Sequence, residues 1–188
     1  MKKTIISLFD YSGNWPRHYK QAGYDVIQVD IKHDIDILSL TRGDLPGKAH
    51  GVLAAPPCTD FAGSGAQYWK AKDQDGRTAA SLELVDKTLE IVSWTCPEFW
   101  ALENPVGRLK TLRPQLGEPW YFQPWWFGDA YTKKTGLWGK FNRDLPKAEV
   151  EPDPNSWIMK LGGKSERTKE LRFITPLGFA EAFYLANP

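Results

Sequence analysis

An α/β fold built on a doubly wound, mostly parallel sheet is predicted by three features of the sequence. Short apolar runs alternate with amphipathic stretches through the first half. Polar or conformationally special residues close each apolar run, and 188 residues suit one domain with a substantial core. Strand–helix–strand order favours parallel pairing, and such sheets bind ligands at the carboxyl ends of their strands.

Taken in order, Thr4 to Phe9 reads as a buried strand and Asp10 to Asn14 as a polar turn. Pro16 to Ala22 reads as a helix closed at Gly23, which adopts a left-handed cap without steric cost. Tyr24 to Val29 is a second strand, closed by Asp30. Gly51 to Ala55 is a third, stopped by Pro56-Pro57, which no central strand accommodates. A Gly-rich loop (59–65) and a charged segment (70–77) precede the longest helix, Thr78 to Trp94. Leu82, Val85, Leu89 and Val92 recur on one face of that helix, and Pro97 ends it. Phe99 to Leu102 is a fourth strand leading to Glu103-Asn104-Pro105. Segment 109–172 shows no dominant period and is expected as a small β-rich or loop-rich appendage within a single 1–188 domain. A last helix opens at Thr175-Pro176 and carries Phe179, Phe183 and Ala186.

Composition narrows the class. With 41% hydrophobic and 25% charged residues the chain is globular, neither collagen-like nor wholly disordered. A net charge of +1 gives no long-range pull on a polyanion, so any nucleic-acid contact must be local. Two cysteines build no disulfide framework, and His18, His33 and His50 show no ligand spacing and read as surface or loop residues, so no metal is expected. The apolar run Ile5 to Phe9 is too short for a signal-peptide core, and no stretch approaches the ~20 apolar residues of a membrane span. A reducing, cytoplasmic setting is the expectation. The Trp- and Lys-rich stretch 120–140 fits either a nucleic-acid contact, by stacking and phosphate pairing, or a structural aromatic cluster over the sheet.

Three strings carry chemistry. Pro56 and Pro57 restrict the backbone ahead of Cys58, holding its thiol rigidly past a strand end, as suits a nucleophile; the alternative is a buried structural cysteine. Glu103 follows an apolar strand, where desolvation raises a carboxyl pKa toward neutrality and makes a proton donor; an ordinary Glu would face water. A strand, a Ser12-Gly13 turn, a helix and a second strand closed by Asp30 is a layout in which an acidic side chain receives ribose hydroxyls. The full G-x-G-x-x-G pattern is absent, which favours an adenosine cofactor without a pyrophosphate.

The strings LFDYSG (8–13), VD (29–30), PPC (56–58) and ENP (103–105), in this order on successive strand ends, resemble the cytosine-specific carbon-5 DNA methyltransferases. The match covers about residues 4–108, and KKTGLW (133–138) with TPLGFAEAF (175–183) is similar to the short phage-encoded members. The resemblance implies a Rossmann-like S-adenosylmethionine-dependent methyltransferase fold with a reduced variable region at 109–172. It implies Cys58 as the nucleophile that adds to carbon 6 of a flipped cytosine and Glu103 as the acid facing ring nitrogen 3. Phe9, Ser12 and Gly13 would lie against S-adenosyl-L-methionine, Asp30 and Ile31 at its ribose, and Asp36, or else Asp34, at its adenine. Pro56, Pro57, Asn104 and Lys134 would contact the substrate. Departures are Tyr11 in place of a family glycine, Thr59 in place of a glutamine and Pro105 in place of a valine, and no match to the family's later Gln-x-Arg-x-Arg string. Lys133, Lys134, Arg143 and Arg172 are candidates for its arginine. The short variable region implies low sequence specificity, or a helper protein or second copy that supplies recognition. The rival readings are an exocyclic-amine methyltransferase, disfavoured by Ala55 and Cys58 at the outer positions of its motif, a degenerate non-catalytic DNA-binding protein, and an enzyme of free cytidine nucleotides.

Overall fold

The computed structural model describes residues 2–156, 158, 160, 161 and 165–188. Its elements are β1 (Thr4–Leu8), α1 (Arg17–Gln21), β2 (Asp25–Val29), β3 (Gly51–Ala54), α2 (Trp69–Gln74), α3 (Arg77–Thr95), β4 (Phe99–Pro105), α4 (Leu109–Leu112), β5 (Trp120–Phe122), β6 (Thr135–Lys140), α5 (Glu166–Phe173) and α6 (Leu177–Ala186), joined by short 3-10 turns. One mixed sheet runs β2-β1-β3-β4-β6-β5. The first four strands are parallel; β6 is antiparallel to β4, and β5 to β6. Because the chain steps from β1 outward to β2 and then returns to β3 on the other side of β1, a crevice opens at the carboxyl ends of β1 and β3.

Side-chain alternation splits the core between the two faces of the sheet. Ile5, Leu53, Phe99 and Ala101 pack against Tyr19 of α1 and Phe179 and Phe183 of α6. Ile6, Leu8, Val52 and Ala54 face Ile91 of α3, while Leu102 and Trp138 meet Val85 of the same helix. Strand β3 is buried along its whole length, as a central parallel strand must be.

The structure corrects several expectations. Strand β4 continues through Glu103, Asn104 and Pro105 rather than stopping at Leu102, because β6 pairs with it as far as Pro105↔Thr135 while β3 ends opposite Leu102. Segment 109–172 is no appendage: β5 and β6 complete the sheet, although residues 157, 159 and 162–164 of that segment lie outside the described residues. The charged stretch 70–77 holds most of α2 and the first residue of α3, and α5 adds a helix that the sequence does not announce. The deepest face of α3 is Ser81, Val85, Thr88, Ile91 and Thr95, offset from the apolar stripe. Thr88 and Thr95 can sit there because their hydroxyls donate to the Leu84 and Ile91 carbonyls, at 2.9 and 2.8 Å. His50 is buried, not superficial; its ring contacts the Pro188 carbonyl oxygen at 2.8 Å and Glu98 at 3.2 Å.

The aromatic stretch serves the core. Phe122 stacks on Phe179 with centroids 4.1 Å apart, Phe127 and Trp138 are buried, and Trp120 packs against Trp126 and Phe141. No described helix is long and apolar enough to cross a membrane.

Candidate active site

Two cavities meet at the carboxyl end of the sheet. The first, about 350 Å3, is lined by Phe9 beyond β1, Asp30 and Ile31 beyond β2, Pro56, Pro57 and Cys58 beyond β3, and Glu103 of β4. Asp36, Lys133 and Phe173 complete it with several apolar side chains. The second, about 670 Å3, shares Cys58, Pro105, Lys133 and Phe173 with the first and runs past Tyr68, Lys72, Arg77 and Arg172. Both fall within the ~300–1,000 Å3 of small-molecule sites.

The first cavity owes its shape to two turns. Asp10, buried behind β1, accepts from the Ser12 hydroxyl (2.5 Å) and Gly13 N–H (2.9 Å) on one oxygen and from Trp15 N–H (3.0 Å) on the other. Gly13 takes a φ of 67°, and a Cβ there would lie 3.0 Å from the Gln28 amide nitrogen. Ser12 and Gly13 thus build the turn and do not line the cavity. Phe9 does line it, held at a φ of 61° that non-glycine residues rarely adopt, with its N–H on the Val29 carbonyl at 2.9 Å. Such strain costs about 1–3 kcal/mol and clusters at functional sites. Asp30 and Asp36 each spend one oxygen on a turn, accepting from Lys32 N–H and Leu38 N–H at 2.9 Å. Both side chains line the cavity, whereas Asp34, in a left-handed turn, does not. Tyr11 lies outside, against His33 and beneath the Lys32 ammonium.

The loop carrying Cys58 is stitched to the segment that follows β4. The Cys58 carbonyl accepts from Phe61 and Ala62 N–H, both at 2.9 Å; Arg108 N–H donates to Phe61 O at 3.0 Å, and Gly63 N–H to Val106 O at 2.9 Å. The Arg108 guanidinium reaches Asp60 O at 3.1 Å and grips Asp73 through two bonds of 2.9 and 2.8 Å. Below the loop, Lys72 donates to Thr59 O at 2.5 Å and pairs with Asp60 at 3.2 Å, and Ser81 Oγ donates to Asp60 at 2.6 Å. Asn104, fully buried, donates through Nδ2 to Pro56 O at 3.1 Å, tying the start of the loop to β4; it is a brace between the two candidate catalytic segments and does not line either cavity. Gly107 must lack a side chain, since a Cβ would sit 1.9 Å from Phe61 O. Gly107→Ala is expected to lower stability by about 1–3 kcal/mol, the usual cost of overpacking, measurable as a fall in the urea midpoint.

Glu103 and Lys133 form an ion pair at 3.7 Å with side chains only 14% and 22% exposed. Of the four candidate cations in the sequence, Lys133 borders both cavities and pairs with Glu103, and Arg172 borders the second. Lys134, the predicted substrate contact, turns instead to the Tyr121 ring with its ammonium 4.8 Å from the centroid. Sequence gives no means of choosing between adjacent lysines before β6, because the orientation follows from bonds to the backbone, Lys133 N–H donating to Gln123 Oε1 and the Lys133 carbonyl accepting from Thr135 Oγ1. Arg172 borders the second cavity and donates to the Leu161 carbonyl oxygen, and Arg143 sits against Phe141, away from both cavities. Phe173 was missed with α5.

Cys58 is partly buried and not in a disulfide. Burial first and the Glu103 carboxylate second push its thiol up to about 11, with Lys133 pulling the other way. Both effects favour the protonated thiol at neutral pH.

No protein-family model matches the chain, and no curated protein matches its sequence. Among solved structures it is similar to a protein provisionally assigned as a DNA modification methyltransferase, encoded within an E. coli prophage. The TM-score is 0.50 at 18% identity, over 88% of this chain and 56% of that one. The chain spans about half the length of that neighbour, and the likeness is one of fold.

Proposed function

We propose that the protein is a DNA methyltransferase that uses S-adenosylmethionine and modifies cytosine at carbon 5 through transient covalent addition by Cys58. The observation that carries this reading is that Cys58 and Lys133 border both cavities while Glu103, paired with Lys133, lines the first beside them, together with Asp30 and Asp36 from the turns after β2. On this reading the sheet is a reduced Rossmann-like, doubly wound methyltransferase sheet, residues 1–188 act as one domain, and the variable region shrinks to the chain around β5, β6 and α5.

The first cavity suits the cofactor. Its apolar walls, Phe9, Ile31, Ile35 and Ile37, accept a flat adenine ring, and Asp30 and Asp36 offer carboxylate oxygens to hydroxyl and amino donors. When bound there, S-adenosylmethionine supplies an electrophilic methyl group on a sulfonium. Asp30→Asn keeps an acceptor for the Lys32 N–H but loses the charge; cofactor affinity measured by calorimetry is expected to fall about 10–100-fold, as for a hydrogen bond to a charged group.

The second cavity suits the target nucleotide, whose base must leave the helical stack to reach the thiol. Cys58 Sγ forms a bond to carbon 6 as its proton passes, through solvent, to the Glu103 carboxylate. Glu103 donates a hydrogen bond or proton to ring nitrogen 3, offsetting the negative charge pushed into the ring and making carbon 5 nucleophilic. After carbon 5 is alkylated and loses its proton, the Cys58–carbon 6 bond breaks and the sulfur is regenerated. Pro56, Pro57 and the Asn104 brace fix the distance between the two groups, which is where orientation is gained.

Incubation with DNA and methyl-labelled S-adenosylmethionine, followed by digestion to nucleosides, is expected to yield 5-methylcytosine. Label on an exocyclic nitrogen would assign the exocyclic-amine chemistry instead.

A further inference from the structure

The Cys58 thiol is opposed by a carboxylate in the same small space that it must share with a substrate. Glu103 comes from β4, and its charge adds to burial in keeping the sulfur protonated. Asp60, on the loop of Cys58 itself, is already neutralised by Lys72 and bonded by Ser81. The Tyr131 phenol is raised by burial, then by Asp129 and Glu103, and stays uncharged. Of the other charges bordering the cavities, Arg77 is paired with Asp75 at 2.5 Å, Arg172 donates to the Leu161 carbonyl, and Asp30 and Asp36 lie in the cofactor cavity. Among the described residues, the charge that favours the thiolate is Lys133.

Lys133 is built to serve two anions. Its backbone is pinned on both sides, its N–H donating to Gln123 Oε1 and its carbonyl accepting from Thr135 Oγ1, each at 2.9 Å. Its ammonium is not pinned: 3.7 Å from Glu103 Oε1 is within ion-pair reach but beyond a hydrogen bond. The same side chain borders both cavities alongside Cys58.

Building on the assignment of Cys58 as nucleophile and Glu103 as acid, we infer that Lys133 is a shared counter-cation that moves its charge from Glu103 to the Cys58 sulfur when the carboxylate takes up the proton that the thiol releases and presents it to the ring nitrogen of the base. In the free protein Lys133 serves Glu103 and the thiol is dormant. When Glu103 holds the proton released by Cys58 and shares it with ring nitrogen 3, its negative charge no longer opposes the thiolate or holds the ammonium, and Lys133 becomes a counter-ion for sulfur. The nucleophile is thereby charged only when a substrate with an accepting ring nitrogen is in place, and a resting thiol is protected from oxidants that attack thiolates. Lys133 is a positioning residue in this scheme, acting through the charges of its two neighbours.

The test reads Cys58 alone, with neither DNA nor cofactor. Exposed Cys96 is first replaced in the full chain (Cys96→Ser), so that iodoacetamide alkylation reports on one thiol: the thiolate forms a carbon–sulfur bond, iodide leaves, and the thiol proton goes to solvent. Alkylation rates between pH 6 and 10 are compared for the parent, Glu103→Gln, Lys133→Met and the double variant. Glu103→Gln, which mimics the neutral acid, is expected to speed alkylation at neutral pH by about tenfold, one pKa unit. Lys133→Met is expected to slow it by less than about threefold with Glu103 present, but by about tenfold in the Glu103→Gln background, a coupling that a double-mutant cycle isolates. Lys133→Arg should keep the parent profile to within about threefold, which guards against misreading a folding defect. Equal slowing by Lys133→Met in both backgrounds, or none in either, overturns the shared-cation scheme. Because no methyl transfer is measured, the methyltransferase reading stands or falls separately, on its nucleoside analysis.

Discussion

Cys58→Ala is expected to abolish methyl transfer, lowering the rate by at least about 10^4-fold, the scale seen when a covalent nucleophile is removed from an otherwise intact site. The structural cost should be small. Cys58 is only partly buried, its carbonyl rather than its sulfur accepts the two bonds that fold the loop, and the loop is held by Arg108, Lys72, Asn104 and Asp60. The alanine variant should therefore melt close to the parent and retain cofactor binding, so that loss of activity reports chemistry. A variant that keeps even a hundredth of the parent activity would mean that sulfur is not the group that attacks the base.

Glu103→Gln is expected to lower methyl transfer about 10^2–10^4-fold, the contribution of a positioned general acid, while leaving cofactor affinity within a few-fold. Its value lies in opposed effects. The substitution removes the negative charge beside the thiol and should make Cys58 more reactive toward a simple alkylating agent, yet less effective toward cytosine. A purely structural role for Glu103 would depress both reactivities together. Lys133 loses its ion-pair partner in this variant, and a mostly buried unpaired ammonium is costly; a modest fall in melting temperature is the accompanying expectation.

Much of this arrangement is legible in the sequence because a parallel sheet writes its ligand-facing residues at the ends of apolar runs. Asp30, Pro56, Pro57 and Cys58 all follow such runs, and the strands that place them lie where the runs predict. Glu103 was located correctly at the carboxyl end but for an incomplete reason: it is inside a strand, because an antiparallel neighbour arriving more than thirty residues later extends the ladder. That pairing is long-range, and β6 reads TGLWGK, with two glycines and no strong alternation to announce it. The choice between Lys133 and Lys134 is also non-local, since the Lys133 backbone is held by the Gln123 side chain ten residues away. Helix α5 is illegible for a different reason: ERTKELRF has few apolar residues, so no face marks it as packed, although Glu170 pairs with Lys32 and Phe173 borders both cavities. The aromatic stretch 120–140 fits either a stacking platform or a structural cluster in composition, which does not distinguish the two, and the packing of Phe122 against Phe179 and α6 shows a structural part for it.

Covalent catalysis through Cys58 is tested most directly by trapping. DNA containing 5-fluorocytosine is mixed with the protein and S-adenosylmethionine; fluorine at carbon 5 cannot leave as a proton would, so the Cys58–carbon 6 bond persists. A denaturation-stable protein–DNA adduct is expected, with peptide mass analysis placing the modified nucleotide on Cys58 and no adduct from Cys58→Ala. Transfer of methyl groups to ordinary cytosine without any such adduct, or an adduct mapped to a residue other than Cys58, would contradict it.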